Sequence, residues 1–175
     1  MAGMTPEFSR PFRLDELGST PRAVTIEANE AERIAVEHRF DLIGIGLLEA
    51  TAELVRDGDI VIATGRLRAD VVQACVASGD PVPASIAEPF TLRFVAERAS
   101  DEPDEEMELD ENDLDEISYE GNAVDLGEAV AQTLALALDP FPRAPDADDK
   151  LRALGVIGEE DAGPFAALKA LRDRL

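Results

Sequence analysis

Several residue types are nearly missing from this chain of 175 residues: there is one cysteine, one histidine, one tyrosine and no tryptophan. A single cysteine, Cys75, excludes a disulfide framework within one chain. Cys75 and His38 together also leave the usual Cys/His zinc site short of ligands, so no metal and no other cofactor is expected. Bases are scarce as well, with 16 Lys and Arg against 38 Asp and Glu and a net charge of −22. Phosphate backbones are bound by cations that displace condensed counterions, so charge of this sign disfavours extensive nucleic-acid contact and attracts basic proteins. No apolar run approaches the roughly 20 residues that span a bilayer. The N-terminus, MAGMTPEFSRPF, has neither the basic start nor the hydrophobic stretch of a signal peptide. A cytoplasmic location without a membrane partner is therefore expected.

What the chain does contain is a large supply of aliphatic residues. Hydrophobic residues make up 45% of it and aromatics only 5%, so a core of Leu, Ile, Val and Ala is implied. A chain of this length buries roughly 70% of its unfolded surface, enough for one domain. The charge is concentrated. Fifteen acids and no base lie between Ala99 and Pro142, which leaves −7 for the rest of the chain. The stretch DEPDEEMELDENDLDE, residues 101–116, holds eleven of those acids in sixteen residues and reads as a disordered acidic loop over 99–116.

Periodicity supplies the elements. PFRLDEL and RAVTIEA read as short extended pieces, and Asn29 with Glu32 has capping-box spacing ahead of a helix whose stripe is Ala31, Ile34, Ala35 and His38. That stripe predicts His38 to be a packed or half-buried structural histidine. From Asp41 two β-runs flank the turn Asp57-Gly58-Asp59. In the second run Val61, Ala63, Leu67, Ala69, Val71 and Cys75 share the inner face, while Arg66, Arg68 and Asp70 share the outer one. SGDPVPAS is expected to break the strand, and EPFTLRFVAE then places Phe90, Leu92 and Phe94 on one face. EISYEG reads as a short strand. Asp125 is predicted to cap a helix with Leu126, Val130, Leu134 and Ala137 inward, ended by Pro140, Pro142 and Pro145. Two short helical stretches, DADDKLRALGVI and GPFAALKALRDRL, close the chain.

No stretch carries a catalytic signature. Cys75 reads as a small buried hydrophobe, since a nucleophilic thiol needs a base beside it. The acid run lacks the glycine of a calcium loop and the rigid frame of a paired-carboxylate hydrolase. Arg66 and Arg68, with Arg93 on the following strand, form a cationic group suited to a phosphate or an acidic partner. No Walker or dinucleotide pattern is present.

Two stretches separated by the acid run, GRLRADVVQACVASGDPVPASIAEPFTLRFV (65–95) and VDLGEAVAQTLALALDPFPRAP (124–145), resemble the YceD-like family. EFSRPFRLDEL, TIEANEAERIAV and PFAALKAL are similar to its alphaproteobacterial branch. The resemblance implies a part in accumulation, processing or stability of the large-subunit (23S) ribosomal RNA. Positions that match the pattern are Gly65, Gln73, Cys75, Pro81, Glu88, Phe90, Asp125, Leu126, Gly127, Glu128, Leu134, Pro140 and Pro142. They are expected to be fold determinants and a contact surface, with no catalytic residue among them.

The expected fold is α+β: a curved antiparallel β-sheet or open barrel from residues 41–98, with helices 29–40 and 125–138 packed on it. One domain would span 1–145, and 146–175 would form a helical tail. Three functions follow. The first is a non-enzymatic factor that engages a basic ribosomal protein or a pre-ribosomal particle. The second is direct ribosomal-RNA binding through Arg66, Arg68 and Arg93, and the third is a metal-dependent hydrolase using the acids.

Overall fold

The computed structural model describes residues 6–97 and 115–156. Most of the acidic loop, the closing helical stretch GPFAALKALRDRL and residues 1–3 lie outside them. Two compact units are present, one of residues 1–72 and 83–138 and one of 73–82 and 139–175. The divisions therefore fall at 72/73, 82/83 and 138/139, where the sequence places a single boundary at 145.

The first unit begins with strand β1 (Pro11–Arg13), a turn of 3-10 helix, strand β2 (Arg22–Glu27) and helix α1 (Glu30–Phe40). Asn29 and Glu32 form the reciprocal cap their spacing predicts. The buried stripe of α1 is not the predicted one, however. Val36 is the fully buried residue and Phe40 packs against the same core, whereas Ile34 is 46% exposed and His38 is exposed. Apolar residues at 34 and 36 allow two competing stripes on so short a helix, and the Val36/Phe40 pair, one turn apart, faces the sheet.

Strands β3 (Gly44–Asp57) and β4 (Ile60–Ala74) form a long antiparallel pair joined at Gly58 and Asp59, with Gly58 at a φ of 61°. Strand β5 (Pro81–Ala96) and strand β6 (Asp115–Tyr119) complete an open five-stranded sheet in the order β2-β3-β4-β5-β6. The sheet is mixed, because β6 joins β5 in parallel. The predicted break at SGDPVPAS shrinks to a turn, and the strand resumes at Pro81. Pro81, Pro83 and Pro89 all occupy odd positions, so their missing N–H groups fall on one edge of β5. The pairing with β6 starts only at Leu92, beyond all three.

The inner sheet face carries the core. Leu48, Leu54, Val61, Leu67 and Phe94 are at most 1% exposed. Each such side chain contributes about 1.5–3 kcal/mol by leaving water. Gly65 is required within this face: a Cβ there would lie 2.1 Å from the Thr51 carbonyl oxygen and 2.8 Å from Ala52 Cα. Strand β7 (Ala123–Asp125) pairs antiparallel with β1 and leads into helix α2 (Leu126–Ala137), whose Leu126, Val130 and Leu134 are fully buried.

In the second unit the described residues are 73–82, which hold the end of β4, the turn and the start of β5, and 139–156, which include helix α3 (Ala147–Ala153). Its own small cluster consists of Cys75, Ala144 and Ala147, with Ala77 and Val82 packed against them.

Candidate functional site

Asp125, Gly127 and Glu128 come together around the N-terminal segment. The Asp125 carboxylate accepts hydrogen bonds from the Glu128 N–H (3.1 Å), the Arg10 N–H (2.8 Å) and the Ser9 hydroxyl (2.5 Å). It thus caps α2 and fastens a segment more than a hundred residues away in sequence. Gly127 lets that segment through, since a Cβ on it would lie 2.6 Å from the Phe8 carbonyl oxygen and 2.8 Å from the Arg10 nitrogen. Phe8 itself is fully buried.

Two arginines extend this fastening to α1. Arg10 makes a bidentate pair with Glu32, at 2.7 and 2.8 Å, and Glu32 is also the returning member of the α1 cap. Hydrogen bonding from Arg10 holds the Glu32 carboxyl below its usual range, more strongly than burial raises it. Arg39 forks onto Glu128 through two bonds of 2.9 Å and reaches Glu7 at the same distance. Its guanidinium is therefore held charged even more firmly than usual, foremost by the Glu128 bond. The chemistry of this cluster is that of a clamp. Each of its acids accepts from a partner in the same chain.

Around Cys75 the bonds are different in kind. The Cys75 thiol accepts from the Ala144 N–H at 3.3 Å, and the Val76 N–H donates to the Pro142 carbonyl at 2.9 Å. Gln73 donates its side-chain amide to the Asp139 carbonyl at 2.9 Å. Lys150 pairs with Asp80 at 2.8 Å, and Ser78 also donates to that carboxylate. The Ser78 hydroxyl, followed by the Ala144 N–H, lowers the thiol pKa to about 7, against the opposing effect of burial. With 3% exposure, however, Cys75 is shielded from reagents. Pro142 is buried in this unit, while Pro81 and Pro140 are exposed.

The three arginines lie on the outer sheet face, as their alternation requires: Arg66 and Arg68 are neighbours on β4, but Arg93 is set apart from them. Six residues connect β4 to β5, too few for a parallel crossover, and the Asp70–Ser85 bond of 2.7 Å sets their alignment. Counting from that bond, Arg66 lies across from Pro89 and Arg93 from Ile62. This offset of four residues is about 13 Å along the strands. Arg68 is paired with Glu49 at 2.9 Å and Arg93 with Glu116 at 2.8 Å. Arg66 faces Thr51 and makes no ion pair among the described residues. Glu88 is exposed on β5. Among the described residues no three His, Cys, Asp or Glu side chains converge as metal ligands, and most of the acid run lies outside them.

Sequence reasoning missed Arg10, Arg39 and Ser9. No local signal links them to Asp125 and Glu128.

By its fold the first unit is an α+β domain with an open, mixed five-stranded sheet. The model of the family described as large ribosomal RNA subunit accumulation protein YceD matches residues 63–172, more than half of the chain. The chain belongs to the YceD family. Comparison with curated proteins and with solved structures finds no match. No helix among the described residues is long and apolar enough to cross a membrane.

Proposed function

We propose that this chain is a non-enzymatic factor in large ribosomal RNA subunit accumulation, acting on a basic ribosomal protein or a pre-ribosomal particle. The family description supports the ribosomal setting. The single observation that carries the mode of action is charge. A net −22, with Arg68 and Arg93 already neutralised by sheet neighbours, suits a cationic protein partner far better than a phosphate backbone. In this reading the contact with ribosomal RNA is indirect, no cofactor takes part, and the work is done in the cytoplasm.

Affinity purification from native cells at moderate salt, read by mass spectrometry, tests it. Basic large-subunit proteins are expected, with recovery reduced several-fold on deleting residues 101–114, which spares β6 and the Arg93–Glu116 pair. Undiminished recovery by the deletion variant removes the acidic docking. A second reading, direct RNA contact, is favoured by Arg66 alone. It requires ribosomal-RNA binding that weakens steeply with salt and with Arg66→Ala.

A further inference from the structure

We propose that the outer edge of β2 is a docking strand for an extended basic segment of a protein partner, added to the sheet as a sixth strand. The inference rests on the proposed function only for the partner's charge.

The sheet is open, and β2 is its terminal strand, paired on one side with β3 from Arg22 to Glu27. Antiparallel pairing directs the backbone groups of alternate residues to opposite edges. The Ala28 N–H donates to the Leu48 carbonyl at 2.9 Å, so even-numbered residues turn their groups toward β3. Odd-numbered residues turn theirs away. The Glu27 carbonyl confirms this parity, because it is taken by the Arg10 guanidinium at 2.7 Å rather than by β3. That leaves the N–H and C=O groups of Ala23 and Thr25, and the N–H of Glu27, on an edge that no other described strand pairs. Ala23, Thr25 and Glu27 are all exposed.

The outer face beside this edge offers a cation the Glu53 carboxylate, which makes no ion pair among the described residues, although Arg66 lines the same cleft. A cleft of about 540 Å³ runs from β2 across β3 to β4, lined by Thr25, Thr51, Glu53, Thr64 and Arg66. In register, Ala23 lies directly beside Glu53 and Glu27 beside Glu49. A residue of the added strand opposite Ala23 therefore looks past a single methyl group to the Glu53 carboxylate. That carboxylate belongs to a strand about 10 Å away, a gap that a Lys or Arg stem and a Glu side chain span together. A residue opposite Glu27, four positions along, meets a carboxylate directly. The edge thus reads a basic residue, a small or polar one opposite Thr25, and a second basic residue at every other position. This is strand addition, with main-chain bonds for affinity and alternate side chains for specificity.

The test titrates the full chain with a labelled peptide containing Lys-Val-Thr-Val-Lys, against its Glu-Val-Thr-Val-Glu counterpart and a backbone N-methylated copy. The basic peptide is expected to bind about tenfold tighter than either control. Thr25→Pro removes an outward N–H that β3 does not use, so it is expected to fold and to lose about tenfold in affinity. Glu53→Gln is expected to lose about threefold, with a weaker salt dependence. Equal affinity for the N-methylated peptide, unchanged affinity in both variants, or no binding of the basic peptide by the unmodified chain overturns the proposal. The titration contains no ribosomal component. Its failure therefore leaves co-purification with large-subunit proteins standing, and failed co-purification leaves a peptide-binding edge standing.

Discussion

At the start of α2, Asp125, Gly127 and Glu128 hold the N-terminal segment with charge-assisted bonds and a backbone approach that admits no Cβ. Around Cys75, by contrast, Gln73, Pro142 and Ala144 are joined through backbone carbonyls and amides over a few small apolar side chains. Both groups carry the family pattern, and both are occupied with the chain itself. The difference lies in what each withstands: the first depends on steric clearance and on several ionised carboxylates, and the second chiefly on backbone bonds, with the Lys150–Asp80 pair beside them.

The largest expected effect is steric. Gly127→Ala drives a methyl into the Phe8 carbonyl, and Gly65→Ala drives one into that of Thr51. Each is expected to cost about 3 kcal/mol in urea unfolding, since the obstructing atoms are backbone and yield little. Next comes Asp125→Ala, which removes the α2 cap together with its bonds to Ser9 and Arg10, for about 2 kcal/mol. Arg39 and Glu128 are both partly exposed, so a double-mutant cycle is expected to return a coupling of about 0.5–1 kcal/mol that shrinks with added salt.

Acid reaches both groups, since the Lys150 bond also holds the Asp80 carboxyl below its usual range. The Glu32 carboxyl is held below its unfolded value by Arg10. Its stabilisation is therefore fully present above the unfolded pKa and is lost as pH falls through the folded one. Glu32→Gln is expected to lower stability near pH 7 and to change it little at low pH, which flattens the profile below about pH 4.5. Cys75→Ala is expected to cost about 1 kcal/mol. Iodoacetamide is expected to alkylate the native thiol far more slowly than the urea-unfolded one, despite its lowered pKa.

Much of the scaffold was legible because it is local. The Asn29 cap, the Gly58 turn, the Phe90/Leu92/Phe94 face and the Asp125 cap each follow from residues within a few positions of one another. His38 was misplaced because Ile34 and Val36 define competing stripes. The strand through three prolines was missed because tolerance depends on which edge lacks a neighbour. The parallel β6 and the clamp were out of reach, since pairing Glu128 with Arg39, 89 residues away, is decided by tertiary packing. Asp125 and Glu128, read as fold determinants and a contact surface, are bonded to Ser9, Arg10 and Arg39 of the same chain. That moves attention to the outer sheet face and to charge.

The central claim, a protein partner rather than RNA, is tested most directly by competition in one tube. The purified chain, labelled and held near physiological salt, is titrated with total large-subunit ribosomal proteins and separately with 23S ribosomal RNA. Saturable binding to the basic protein fraction, with no competition from equimolar RNA, is the expected result. Tight binding to the RNA alone, abolished by Arg66→Ala, would contradict it.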